Sequence, residues 1–178
     1  GTGTLENRAE VLTPEQVRRL DAALRSDTTI PIVSNREVGT AASRPPGDSP
    51  TLTWRFRAHN VRDVAWAAAP NFIWDASGWN NILMQSFYPP SADSIWRRST
   101  EMVRHSIEHY SEKWFPYPWP TAINVNGPVG GMEYPMIVFC RNRSDLRGLF
   151  GVTTHELGHE WFPMLVGNNE RLYAWMDE

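Results

Sequence analysis

The first half of the chain is dominated by short apolar stretches with the period of β-strands. The clearest, residues 51–57, alternates apolar and polar side chains as a half-buried strand does. Similar stretches lie at residues 28–33, 61–68 and 80–88. Pro31 predicts that the first of these is an edge strand, because proline has no amide proton to donate to a second neighbour.

A helix and a loop interrupt this β-rich region, which extends over residues 1–90. Residues 13–26 carry Thr13 as a helix N-cap, Pro14 in the first turn and one apolar stripe. Residues 38–50 are rich in proline, glycine and serine, a composition typical of loops.

Helical periodicity takes over after Pro89-Pro90. Residues 92–114 predict an amphipathic helix whose apolar stripe, at 100° per residue, consists of Trp96, Val103, Ile107, Tyr110 and Trp114. Two strands follow at residues 122–125 and 132–139, with a glycine-rich bend at 127–131 between them.

A last helix is predicted from about Asp145, with Ser144 as its cap, to near Phe162. Pro163 ends or kinks it, because proline cannot donate to the carbonyl of His159. With His155 at 0° on the helical wheel, His159 lies at about 40°, and two glycines lie within about 40° on either side. These are Gly148 and Gly151. The opposite face is apolar and consists of Leu146, Phe150, Thr153, Leu157 and Trp161. The histidine face therefore predicts an open cleft.

Composition excludes several classes of protein. The 178 residues are 41% hydrophobic, enough for a sizeable core, and the net charge of -3 gives no reason to expect nucleic acid or an anionic membrane as partner. Cys140 is the single cysteine, so an intrachain disulfide or cysteine-based metal cluster is excluded. No apolar run approaches the roughly 18 residues of a membrane span. Because the chain opens without methionine and ends on a candidate ligand, we expect it to be a segment of a longer protein.

The candidate chemistry lies in residues 155–159, which read His-Glu-Leu-Gly-His, and in Glu178, which follows after eighteen intervening residues. Two histidines four apart on a helix point the same way, and with one carboxylate they form a three-ligand zinc site. Glu156, inside the motif, would be general base to water at the fourth position. Residues 171–178 are apolar enough to begin a second buried helix that brings Glu178 to the imidazoles.

Another acid, Glu133, follows Gly130-Gly131 in an otherwise apolar stretch. A buried carboxylate requires a cationic partner, and the free α-ammonium of a peptide fits. The opposing interpretation is a hydrated glutamate on an edge strand. His105 and His109 also form an inverted zinc motif with Glu108, but they lie on the charged face of their helix and are interpreted as solvated.

The combination of these motifs resembles the aminopeptidase N family of zinc metallopeptidases, the gluzincins. The similarity is close from about residue 109 to 178 and includes Gly-x-Met-Glu at 130–133 and Trp-Met-Asp-Glu at 175–178. The resemblance implies an α+β chain in which residues 1–90 are the C-terminal part of an N-terminal β-domain. Residues 91–178 would be the first half of a thermolysin-like zinc catalytic domain.

The resemblance also implies a role for each site residue. His155, His159 and Glu178 would bind zinc, and Glu156 would be the general base. Glu133 would bind the N-terminal ammonium of a peptide substrate, while Gly130 and Gly131 would contact its backbone. Tyr134-Pro135, Glu160 and Pro163 depart from the commoner family residues. The family's transition-state-stabilising tyrosine lies beyond the third ligand, so the segment alone is expected to be inactive.

Three functions stay open at this point. The first is a zinc-dependent aminopeptidase acting on peptides with a free N-terminus. The second is a thermolysin-like endopeptidase, and the third is a noncatalytic scaffold that reuses the aminopeptidase fold. The compartment is also open, with a bacterial periplasmic or secreted parent favoured.

Overall fold

A six-stranded mixed sheet forms the centre of this computed structural model, which describes residues 1–45, 47 and 51–178. The order across the sheet is β2-β4-β5-β6-β8-β7, and the pairs β5-β6 and β6-β8 are parallel while the others are antiparallel. The bounds are β2 Ile30–Val33, β4 Ile73–Trp79, β5 Ile82–Tyr88, β6 Thr121–Asn126, β7 Gly131–Tyr134 and β8 Ile137–Cys140. The predicted α+β class is confirmed.

Helices cover both faces of the sheet. On one face lie α3 (Asp93–Trp96), α4 (Ser99–Lys113) and α5 (Leu146–Gly158), and on the other lie α1 (Arg8–Val11) and α2 (Pro14–Ala23). Short 3-10 helices occur at Ala41–Ser43, Pro90–Ala92 and Ala174–Met176. A separate two-stranded ribbon pairs β1 (Thr4–Leu5) with β3 (Phe56–Arg57).

The predictions for residues 1–90 are confirmed in part. Helix α2 begins at Pro14, and the Thr13 hydroxyl accepts from the Gln16 amide in a reciprocal capping box. Strand β2 is at the sheet edge, as the proline predicted. The strand expected at 51–57 is wrong except for the two exposed residues of β3, and no strand forms at 61–68. Of the predicted loop at 38–50, residues 46 and 48–50 lie outside the described residues.

Strand β4 was not predicted, although it pairs with β5 along its whole length. Asp75, Ser77 and Gly78 interrupt its apolar pattern, yet all are buried because both faces of the sheet are covered here. A side chain at Gly78 would overlap the backbone of Leu24, so this position requires glycine for a close approach.

The predicted helix at 92–114 is divided into α3 and α4, and Trp96, Val103 and Ile107 are fully buried as expected. Buried polar contacts then fix both long helices to the sheet. The Asn124 amide on β6 donates to Ser99 of α4 at 3.0 Å and to Thr153 of α5 at 2.9 Å. These buried hydrogen bonds link both helices to the same residue of the central strand β6.

The single strand expected at 132–139 is wrong, because β7 and β8 form an antiparallel hairpin that reverses at Pro135-Met136. Proline suits the first central position of such a turn, and Met136 takes a positive φ of 67°. The reversal brings β7, with Glu133, against α5.

Helix α5 is where the motif predicted it, with two corrections at its ends. Asp145, and not Ser144, is the N-cap, since its carboxylate accepts from the Gly148 amide at 2.7 Å. The regular helix ends at Gly158, and hydrogen-bonded turns continue past Pro163. Leu146, expected in the core, is exposed.

The buried helix expected at 171–178 is wrong as well. This segment contains only the 3-10 turn Ala174–Met176, and Trp175 is 75% exposed. Eight residues are too few for a stable isolated helix, and the described part of the chain offers no surface that covers these apolar side chains.

Strands from both sides of residue 90 share the six-stranded sheet, so the predicted division into residues 1–90 and 91–178 is not confirmed and remains a prediction. None of the helices in the described ranges has the length and apolar character needed to cross a membrane.

Candidate metal centre

The two motif histidines face each other at the end of α5. Their Nε2 atoms are 3.1 Å apart, and the rings are nearly perpendicular. The His159 Nδ1 lies 2.9 Å from the Phe162 carbonyl. A carbonyl only accepts, so Nδ1 carries the proton and the lone pair of neutral His159 is on Nε2, toward His155. The His159 Nε2 lone pair is therefore directed toward the position that a cation shared with His155 would occupy.

Glu178 completes a set of three ligand atoms that all lie within 4.8 Å of one another. Its carboxylate is 3.5 Å from the His155 Nε2. A tetrahedral zinc ion with bonds of about 2.0–2.1 Å holds its ligand atoms about 3.3 Å apart. The observed separations of 3.1 Å and 3.5 Å lie on either side of that value, and the ligand atoms of His159 and Glu178 lie within 4.8 Å of each other. The donor types and two of the three separations therefore fit zinc.

Exposure of the ligands is uneven. His159 is 5% exposed and oriented by the Phe162 carbonyl, whereas the His155 side chain is 50% exposed. The open face predicted from the glycines is present at Gly151, which is exposed and where a side chain would meet nothing within 4 Å, but not at Gly148, where a side chain would meet Arg143 at 3.3 Å. Solvent can therefore approach the candidate ligands from this side.

Two acids lie beside the histidines. Glu133, Glu156 and His159 also offer ligand atoms within 4.8 Å of one another. Burial and, secondarily, the neighbouring Glu133 carboxylate raise the pKa of Glu156 to about 7, while His159 opposes the shift. A carboxylate with a pKa near neutrality is suited to accept and return a proton. A divalent cation in the site would lower this pKa.

The two glycines of the predicted substrate strand differ. A side chain at Gly131 would overlap the Glu156 carboxylate and approach Val152 to 3.3 Å, whereas a side chain at Gly130 would meet nothing within 4 Å. A side chain at Gly131 would therefore displace the candidate base where β7 passes it. Gly130 lies in open space on the exposed bend.

Two residues near the site were not predicted to have roles. Glu160 is fully buried, and its carboxylate accepts from the Met136 amide at 3.0 Å, which fastens the turn of the β7–β8 hairpin to the end of α5. Burial raises the pKa of Glu160 to about 8. Arg143 donates to the Gly130 carbonyl at 2.8 Å. In the sequence, Glu160 is only an acid beside a candidate ligand, and Arg143 is only a basic residue after a strand. Neither pattern indicates which residue is its partner.

The inverted motif on α4 is not brought together as a site. His105 and His109 are exposed, as predicted, and their rings stack at 6.1 Å. Neither belongs to a group of metal-ligand atoms among the described residues.

No family model matches the chain, and no curated protein matches it either. The resemblance to the aminopeptidase N family therefore depends on the motif residues themselves and remains a prediction.

Proposed function

We propose that this chain carries the metal centre of a zinc-dependent aminopeptidase. The observation that supports this most is the convergence of His155, His159 and Glu178, whose ligand atoms lie within 4.8 Å of one another, with two of the three separations close to those of a tetrahedral ion. In this proposal the three residues hold zinc. When bound, the ion supplies Lewis acidity and lowers the pKa of water toward about 7.

Glu156 has the role of general base in this mechanism. It is buried beside the ligands with a raised pKa, so its carboxylate can hold a proton taken from water and return it to the leaving amine. Glu133 binds the α-ammonium of the substrate and limits cleavage to the first peptide bond. Its position within 4.8 Å of Glu156 supports this, because a cation between two carboxylates is attracted to both.

The proposed substrates are peptides with a free N-terminus. An endopeptidase of thermolysin type is the second candidate and would have the same ligands and base. A noncatalytic scaffold is disfavoured, because such a protein has no need to keep three ligands and a base in contact. Glu133 separates the first two candidates, since an endopeptidase requires no ammonium-binding acid.

The test compares a free-amine peptide with its N-acetylated form. It uses a zinc-loaded protein that contains this chain and continues past Glu178, because the resemblance expects a further catalytic tyrosine there. We expect cleavage of the free peptide only. Glu133→Ala should raise KM and weaken this selectivity, and zinc content should not change. Equal cleavage of both peptides, in wild type and variant, would favour the endopeptidase.

A further inference from the structure

The bend that precedes Glu133 is fastened to the start of the motif helix by arginine side chains. The Arg143 guanidinium donates to the Gly130 carbonyl at 2.8 Å. The Arg141 guanidinium donates to the Pro128 carbonyl at 2.6 Å and 3.2 Å. Both arginines belong to the segment between β8 and α5, so they join the bend to the element that carries the histidines.

Few other contacts hold the bend in place. The Arg141 amide reaches the Gly130 carbonyl only at 3.4 Å, and the Gly127 amide donates to the Cys140 carbonyl at 3.1 Å. Gly130 has no side chain, and the space around it is open. A glycine backbone without side-chain contacts has many accessible conformations, so the charged hydrogen bond from Arg143 is a main restraint on it.

The orientation of the bend affects both acids. Gly131 is the first residue of β7 and contacts the Glu156 carboxylate, and Glu133 follows two residues later on the same strand. The Arg143 charge is also near enough to Glu156 to act on it electrostatically. A change at Gly130 therefore moves the element that would hold the substrate ammonium.

We propose that Arg143 is a positioning residue, which sets the Gly130–Gly131 backbone and through it the place of Glu133 relative to the metal ligands. The claim that this positioning serves substrate binding rests on the proposed function. The role depends on the hydrogen bond to the Gly130 carbonyl as well as on the positive charge.

Two substitutions of Arg143 and one control separate the contribution of its hydrogen bond from that of its charge. Arg143→Met removes both the donor and the charge, whereas Arg143→Gln keeps a donor without charge. Arg147→Met is the matched control, because Arg147 is exposed in the first turn of α5 and makes no side-chain hydrogen bond or ion pair in the described part of the chain.

The first measurement needs no activity. Amide hydrogen exchange in residues 127–133 of the 178-residue chain should accelerate about tenfold in Arg143→Met and much less in Arg143→Gln, with no change in Arg147→Met. The second measurement is KM and kcat on a free-amine peptide with the longer zinc-loaded protein. Arg143→Met should raise KM about tenfold and change kcat less than threefold, because ammonium binding is common to ground state and transition state.

Equal exchange in Arg143→Met and Arg147→Met would overturn the positioning role. A KM effect as large in Arg143→Gln as in Arg143→Met would also overturn it, because charge alone would then be responsible. If the wild-type protein cleaves no free-amine peptide, the proposed function fails. The exchange result still decides whether Arg143 fixes the bend.

Discussion

The contact between Gly131 and Glu156 predicts that a side chain at residue 131 displaces the candidate base. The perturbation is Gly131→Ala, and the matched control is Gly130→Ala. A methyl group at 131 overlaps the Glu156 carboxylate and lies 3.3 Å from Val152, whereas a methyl group at 130 meets nothing within 4 Å. Both substitutions replace a glycine with alanine, but only the one at residue 131 displaces a neighbouring side chain.

The expected losses of stability and of kcat follow from how far the Glu156 side chain can move. The obstructing atoms at 131 are the far end of a flexible side chain, so Glu156 can rotate away from the new methyl group. The loss of stability should then be at the low end of overpacking, about 1 kcal/mol. The carboxylate must move by about 1 Å to escape the overlap, and a displacement of that size costs about 100-fold in rate. Gly130→Ala should change both quantities little.

The assays are urea denaturation of the 178-residue chain and kcat of the longer zinc-loaded protein. We expect a loss of about 100-fold in kcat for Gly131→Ala, with zinc content unchanged. Equal kcat values for the two alanine variants would refute the reasoning, because the overlap with Glu156 would then have no catalytic consequence.

Other predictions concern the base, a buried acid and the second histidine pair. Glu156→Gln should retain zinc and lose at least about 100-fold in kcat, while a loss of zinc would make Glu156 a ligand instead. Burial raises the pKa of Asp75 to about 6 from its usual 3.8. The folded state then holds a proton more tightly than the unfolded state, so the free energy of unfolding should fall by up to about 3 kcal/mol as pH rises from about 4 to 6. Asp75→Asn should flatten that dependence in urea titrations, and an unchanged slope would exclude Asp75 as its source. Replacing His105 and His109 with alanine should leave zinc content unchanged, and loss of stoichiometric zinc would contradict their assignment as solvated.

Sequence patterns predicted the elements that bury one face and expose the other. Helix α2 has a capping box, and α4 has one apolar stripe. Strand β4 could not be predicted in this way. It is covered on both faces, and its buried acid Asp75 has a partner on the neighbouring strand, the Tyr88 hydroxyl, which donates to it at 2.5 Å.

The candidate site was predictable where spacing along one helix determined geometry. His155 and His159 converge because four residues make about one helical turn. The reversal at Pro135-Met136 was not predictable, because a positive φ at methionine is unusual and here coincides with a buried carboxylate that accepts from its amide. That reversal determines where Glu133 lies. The hydrogen bond between Glu160 and the Met136 amide therefore helps to determine the position of Glu133.

The metal centre is tested most directly by the zinc content of the purified 178-residue chain after dialysis against trace zinc. We expect one zinc ion per chain in the wild type and a loss of binding in His159→Ala. We expect no loss in His109→Ala, which removes an exposed histidine from α4. Absence of zinc from the wild type, or equal zinc in wild type and His159→Ala, would contradict the metal centre.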